Sequence, residues 1–293
     1  MHVACFGTGL MGAAVAMRLL SEGHHVSVYN RTRARTVELE QAGAEVATIP
    51  AEALAQAESC ITMLSDAAAI HDVLLNEAAL AALSGRCVIQ MGTIGPGQSR
   101  DIQQRVQASG ADYMEAPVLG SIPEARAGRL LIMVGAAAEL FERFAPLLKS
   151  LGPDPRLIGP PGTAAAVKLA LNQLIAGLTA SFSVSLAFIR RQGLDAEQFM
   201  ELLRSSALYA PTFDKKLPRM LARDFGKPNF PTRHLLKDIK LFIAEAKGLG
   251  VKTELLEVIG RLLEETKSQG GAEMDYSALY GAVWPRRAPS SND

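Results

Sequence analysis

The residues Gly7-Thr8-Gly9-Leu10-Met11-Gly12 stand between an apolar run at 2–6 and a stretch at 10–20 whose apolar residues recur at helical spacing. That order of strand, glycines and helix leaves few folds open. Gly7 permits a tight turn out of the strand. Gly9 removes a side chain where a pyrophosphate must approach the backbone, and Gly12 lets the helix pack closely on the strand. The helix N-terminus then offers unpaired N–H groups and the positive end of its dipole to an anion, with Leu10 and Met11 in its first turn. The motif therefore predicts a dinucleotide site opening a βαβ unit.

Residues 26–29 read as the second strand of that unit. In NAD-binding members of this fold the strand ends on Asp or Glu, which accepts from the ribose 2′-hydroxyl and repels a 2′-phosphate. This chain has Asn30 there, followed by Arg31, Thr32, Arg33 and Arg35. Guanidinium groups fork onto phosphate oxygens and a threonine hydroxyl can add a hydrogen bond, so the expected cofactor is NADP(H). Arg31 is the expected phosphate ligand, and Arg35 reads as a solvated surface charge.

At 293 residues the chain exceeds the usual single-domain size. In its first half strand candidates at 59–64, 87–91, 112–115 and 130–134 alternate with helical stretches at 67–75 and 97–109. That alternation predicts a doubly wound α/β Rossmann sheet, mostly parallel. Ligands bind at the carboxyl ends of such strands, so the loops after Met63-Leu64 and before Thr93 should line the cofactor site. From about 161 the pattern turns all-helical, with helices expected at 163–189, 196–206, 234–249 and 252–269 and with Pro211, Pro218, Pro228 and Pro231 marking loops. The domains expected are 1–160, binding NADP, 161–284, an all-α substrate and oligomerisation domain, and 285–293, a disordered tail. Thirty basic and thirty acidic residues leave no net charge, which argues against nucleic acid or a membrane surface as partner. The absence of a leader pattern before the first strand, and three cysteines in apolar runs, fit a cytoplasmic protein with reduced thiols. No metal is expected.

The stretch at 163–189 is apolar over nearly bilayer length, but Lys168, Asn172 and Gln173 within it fit a buried interdomain helix better than a membrane span. Lys168 and Asn172 are four residues apart and share one helical face. An amine beside a planar amide, directed at a nicotinamide site, suits carbonyl reduction, in which the amine protonates the developing alkoxide and the amide fixes the substrate. Spacing alone leaves equally open a lysine that snorkels beside a packing amide.

These motifs resemble the β-hydroxyacid dehydrogenase family, and within it the glyoxylate and succinic semialdehyde reductase branch. The likeness is carried by Gly7 to Gly12, by Glu115-Ala116-Pro117-Val118-Leu119-Gly120-Ser121, by Gly159, Gly162, Lys168 and Asn172, and by Lys237-Asp238-Ile239. Val28-Tyr29-Asn30-Arg31-Thr32, Met63-Leu64-Ser65-Asp66, Phe230-Pro231 with His234, and Met274-Asp275-Tyr276-Ser277 are branch-like. The resemblance implies a homodimeric or homotetrameric NADPH-dependent reductase of small aldehydes, semialdehydes or keto acids. It makes Lys168 the general acid and Asn172 its orienting partner, with Thr93, Leu119, Gly120 and Ser121 at the substrate. Lys237 is implied to sit beside the nicotinamide and to depress the pKa of Lys168; His234 reads as a helix-start residue.

One position departs from the family pattern. Leu119 stands where a serine is usual, so a donor to a substrate carboxylate is replaced by a bulky apolar group. That bears on specificity more than on reaction type. Succinic semialdehyde is the first expected substrate. The alternatives are an imine reductase, which the presence of Lys168 argues against, and a non-catalytic dinucleotide-binding sensor or scaffold, which the retention of Lys168 with Asn172 argues against.

Overall fold

The computed structural model describes residues 1–285; the expected disordered tail, apart from Pro285, lies outside them. The chain divides into two compact units, Met1–Leu169 and the residues from Ala170 onward.

In the first unit the elements run β1 (His2–Phe6), α1 (Leu10–Ser21), β2 (His25–Tyr29), α2 (Val37–Gln41), β3 (Glu45–Val46), α3 (Pro50–Leu54), β4 (Ser59–Thr62), α4 (Ala67–Leu74), α5 (Glu77–Leu83), β5 (Cys87–Gln90), α6 (Pro96–Ala108), β6 (Asp112–Glu115), β7 (Val118–Leu119), α7 (Ile122–Arg126), β8 (Leu131–Gly135), α8 (Ala138–Lys149) and β9 (Arg156–Gly159). The sheet order is β3-β2-β1-β4-β5-β6-β8-β7, with β9 beside β8. Pairing is parallel from β3 through to β6. The expected strand at 130–134 forms as β8 but runs antiparallel to both β6 and β7. Its antiparallel direction follows from the route from β6, which has only two-residue β7 and five-residue α7 between them and no long crossover helix.

Both faces of the sheet are covered, which explains why its strands read as apolar runs without alternation. Val3, Cys5, Val26, Val28, Ile61 and Ile89 pack on one face against α1, α7 and α8. Ala4, Phe6, Cys60 and Val88 pack on the other, against residues of α3 to α6. Cys5, Cys60 and Cys87 are unpaired and buried, and burial pushes the Cys5 thiol up to about 12.

The long helix α9 (Thr163–Arg191) runs through the boundary between the units. It is followed by α10 (Ala196–Arg204), α11 (Pro211–Ala222), α12 (Thr232–Gly248), α13 (Glu254–Thr266) and α14 (Leu279–Val283). By length and composition α9 could cross a bilayer, yet 44% of its most apolar window is packed inside the chain. Leu235, Leu236 and Ile239 of α12 meet Ile259 and Leu263 of α13 and Ala176 and Ala180 of α9. A second core joins Phe182 and Leu186 to Met200, Phe213, Leu217, Met220 and Tyr280; the Phe182 and Phe213 rings stack at 4.7 Å.

Pro211 and Pro218, expected to mark loops, both lie in α11. Pro211 opens the helix, where a missing N–H costs nothing. Pro218 is on the exposed face, where solvent can satisfy the carbonyl it leaves unpaired. The opposite face buries Phe213, Lys216, Leu217 and Met220. α12 begins at Thr232, so His234 is its third residue, and α13 ends in a π turn over Lys267–Gly271.

Candidate active site

In the first unit Phe6 pairs with Tyr29 on one side and Thr62 on the other, so the carboxyl ends of β1, β2 and β4 lie together. Between β1 and β4 the strand order reverses direction, which is where doubly wound sheets bind ligands. The three motif glycines meet different demands there. Gly7 adopts φ +90°, and a Cβ on it would lie 2.6 Å from the Met63 carbonyl oxygen; one on Gly12 would lie 1.8 Å from the Gly7 oxygen. Both are required by the fold. Gly9 has φ −69°, open to any residue, and a Cβ there would meet nothing within 4 Å. The chain leaves that space for something else.

Gly9 is also the N-cap of α1 and supplies no side-chain cap; the first N–H bonded within the helix is that of Ala13, to Gly9 O at 2.8 Å. The N–H groups of Leu10, Met11 and Gly12 precede it, as an anion cradle needs. The Thr8 hydroxyl beside them is buried with no hydrogen-bond partner among the described residues. This orphaned donor, the open Gly9 and the uncapped helix fit a dinucleotide pyrophosphate.

Asn30 accepts from the Thr8 N–H at 3.2 Å and donates to Thr32 O at 2.9 Å, bracing the glycine turn against the end of β2. Arg31 is exposed and forms no ion pair among the described residues. Arg33 is engaged with Glu40 at 3.0 Å. Of the arginines after β2, Arg31 is thus better placed than Arg33 to take a phosphate. After β4 and β5, Met63, Leu64 and Thr93 are half-buried, and a Cβ on Gly92 would stand 2.7 Å from Leu64 O, so these two loops abut.

The segment from Glu115 to Ser121 splits into distinct roles. Glu115 is 1% exposed. Its Oε1 accepts from the Ala164 and Ala165 N–H groups at 2.7 and 3.1 Å, and its Oε2 accepts from the Ser99 hydroxyl. Leu119 is half-buried and pairs with Leu131 across β7 and β8. Gly120, at φ +146°, leaves no room for a Cβ, which would lie 2.7 Å from Leu130 Cδ2. Ser121 donates its N–H to Glu124 Oε2 at 2.9 Å and its hydroxyl to the same oxygen. A Ser-x-x-Glu capping pattern at 121–124 was the available signal for that pairing.

Gly162 turns the chain into α9 at φ +101°, where a Cβ would lie 2.4 Å from Arg100 Nη1. Lys168 follows on the first turns of the helix, 9% exposed. One turn later, in the second unit, Asn172 is 2% exposed and donates through Nδ2 to Asp238 Oδ2 at 2.7 Å. Its Oδ1 is buried without a hydrogen-bond partner among the described residues. The other Asp238 oxygen lies 3.0 Å from Lys237 Nζ. Asn172 and Asp238, both buried, and the half-buried Lys237 therefore form one polar cluster. The His234 ring stacks on Phe230 at 6.4 Å.

Comparison with known proteins sharpens this. Residues 2–159 match the NAD binding domain of 6-phosphogluconate dehydrogenase, and residues 162–283 match the NAD-binding domain of NADP-dependent 3-hydroxyisobutyrate dehydrogenase. The chain is 30% identical to glyoxylate/succinic semialdehyde reductase 1 of Arabidopsis thaliana, over 97% of this chain and 98% of the relative. The chain belongs to the β-hydroxyacid dehydrogenase family. It is also 30% identical to 2-hydroxy-3-oxopropionate reductase of Escherichia coli K12, over 97% of each. The fold matches 3-hydroxyisobutyrate dehydrogenase of Mycobacterium tuberculosis with a TM-score of 0.87 at 23% identity, covering 97% of this chain and 99% of that one. As a β-hydroxyacid dehydrogenase the chain is an oxidoreductase that uses a nicotinamide dinucleotide and acts on a CH–OH or carbonyl carbon.

Three partnerships escaped the sequence reading. Asp238 receives Asn172, and Glu115 receives the start of α9. The third is a buried ion pair in the second unit, Lys216 Nζ at 2.8 Å from both oxygens of Asp275. Ser277 donates to that carboxylate as well, and the Tyr276 ring lies 4.1 Å from the ammonium. Burial lowers the Lys216 pKa while the Asp275 charge opposes the shift.

Proposed function

We propose that this β-hydroxyacid dehydrogenase is an NADPH-dependent reductase of small aldehydes, semialdehydes or keto acids, of the succinic semialdehyde or glyoxylate type, with Lys168 as general acid. The observation that carries the reading is Asn172: its amide is buried with one end fixed by Asp238 and its Oδ1 unsatisfied. A buried acceptor without a partner is costly unless a ligand or a neighbouring cation completes it, and Lys168 precedes it by one helical turn. The names of the two 30%-identical relatives support the substrate class.

A nicotinamide dinucleotide, when bound, would supply the hydride. As the carbonyl carbon gains its new C–H bond, the π pair moves to oxygen and the Lys168 ammonium gives up a proton there, to be restored from water. Asn172 orients the lysine and the substrate oxygen. Thr93 and Ser121 bind the far end of the substrate, and Leu119 and Gly120 shape its path. Gly7, Gly9, Leu10, Met11 and Gly12 hold the pyrophosphate. Asn30 keeps that turn in place, Arg31 and Thr32 select the 2′-phosphate, and Met63, Leu64 and Thr93 flank the nucleotide. Residues 1–160 serve as the cofactor domain and 161–284 as the substrate and oligomerisation domain. Leu174, Leu178, Val184 and Phe188, exposed along α9, support a homo-oligomer, which the molar mass from light scattering tests.

Lys168→Ala should lower kcat by about a hundredfold or more while leaving NADPH affinity near wild type. Undiminished turnover would remove the lysine from the chemistry. Cyclic imines assayed beside semialdehydes and keto acids separate this reading from imine reduction. Binding of NADPH with no oxidation across the panel would instead indicate a sensor.

A further inference from the structure

We propose that Glu115 is a positioning residue for the reaction, its buried carboxylate fixing the first turn of α9 and so the place of Lys168. The inference rests on the general-acid reading of Lys168. Carboxylates are almost never fully buried unless a partner compensates them, and among the described residues no lysine or arginine pairs with Glu115. Hydrogen bonds hold it instead: two from the opening turn of α9 and one from Ser99, whose oxygen lies 2.8 Å from the Tyr113 hydroxyl. A negative group at a helix N-terminus also gains from the dipole.

The cap comes from a distant part of the chain. The sequence entering α9, Gly159-Pro160-Pro161-Gly162, contains no side chain able to accept a hydrogen bond, and the Thr163 hydroxyl is spent on Pro160 O at 2.7 Å. The acceptor is imported from β6, 49 residues earlier. The sheet reserves room for it, because Gly135, its register partner on β8, would place a Cβ 2.3 Å from Oε1. Ala164, which donates the shorter bond, lies one helical turn before Lys168 and on the same face. The residue that closes the sheet strand before Ala116–Ser121 thus also sets the origin of the helix that carries the acid. Misplacing a reacting group by about 1 Å can cost about a hundredfold in rate.

The test is a double-mutant cycle on the full chain, using Glu115→Gln, which keeps the shape but replaces an accepting oxygen with an amide nitrogen. With the wild-type lysine, kcat should fall about tenfold or more while the Kd for NADPH moves less than about twofold. In the Lys168→Ala background the same change should leave the residual kcat within about twofold, because there is no acid left to misplace. Ser99→Ala, a milder perturbation of the other carboxylate oxygen, should reproduce the pattern at about threefold and covers the case in which Glu115→Gln fails to fold. An equal loss in both backgrounds would mean a merely structural cap and would overturn the inference. If Lys168→Ala alone leaves kcat intact, the general-acid reading fails first, and that arm shows it separately.

Discussion

Gly9→Ala should separate folding from cofactor binding within one motif. The added methyl meets no atom within 4 Å and the backbone sits at φ −69°, so nothing in the chain opposes it. Replacing glycine at a compatible φ stabilises by about 0.4–1 kcal/mol through the unfolded state. Alanine is a poorer N-cap than glycine by a similar amount, and the two effects offset to within about 0.5 kcal/mol. Binding has no such compensation. A methyl group that holds the pyrophosphate off the first turn of α1 removes at least one charge-assisted hydrogen bond, worth about 1.5–3 kcal/mol, or about 10- to 150-fold in Kd. Gly12→Ala is the contrasting control. Its Cβ would lie 1.8 Å from Gly7 O, and relieving that overlap should cost about 1–3 kcal/mol of stability. Fluorescence titration of NADPH and denaturant unfolding measure both quantities on the same samples. A Gly9→Ala protein with wild-type Kd and wild-type stability would refute the argument that the open space serves the phosphates.

Arg31→Ala should raise the KM for NADPH about tenfold or more and leave that for NADH within about twofold; equal effects on both would remove Arg31 from 2′-phosphate recognition. Lys216→Met should destabilise the protein by about 3–5 kcal/mol, because it strands the fully buried Asp275 carboxylate; a denaturation midpoint unchanged from wild type would contradict this. The Asp214 carboxyl is held below the usual carboxylate range by hydrogen bonds from Arg204 and then Tyr209. Its folded pKa is depressed, so its contribution is complete above about pH 4 and is lost as pH falls through the lower folded value. Arg204→Ala should flatten that acid slope, and an unchanged slope in acid titrations followed by circular dichroism would speak against the pairing.

The parts of this molecule that were legible in sequence are those set by local pattern. The glycine turn, the strands near 59–64 and 112–115 and the start of α9 at Thr163 follow from apolar runs, periodicity and glycine chemistry, and the structure places them within a few residues. Prolines misled where their position within a helix mattered, since Pro211 at a first turn and Pro218 on a solvent face are tolerated in α11. The direction of β8 depended on which strand it would pair with. What stayed hidden were contacts between distant residues. Glu115 meets Ala164, Asn172 meets Asp238, and Lys216 meets Asp275, at separations of 49, 66 and 59 residues. No period or spacing carries such a partnership.

The three thiols buried in the sheet make a built-in clock for the first unit. Cys5, Cys60 and Cys87 lie on β1, β4 and β5, three neighbouring strands, and burial raises the pKa of each above the usual thiol range. A thiol so placed reacts only when the strands around it open, because the thiolate is the nucleophile. The rate of alkylation therefore counts openings of the sheet. Saturation with NADPH should slow it, by about a hundredfold when ligand stands at 100 times its Kd, provided opening releases the nucleotide. An unreactive set of cysteines becomes a measure of cofactor binding that requires no turnover at all.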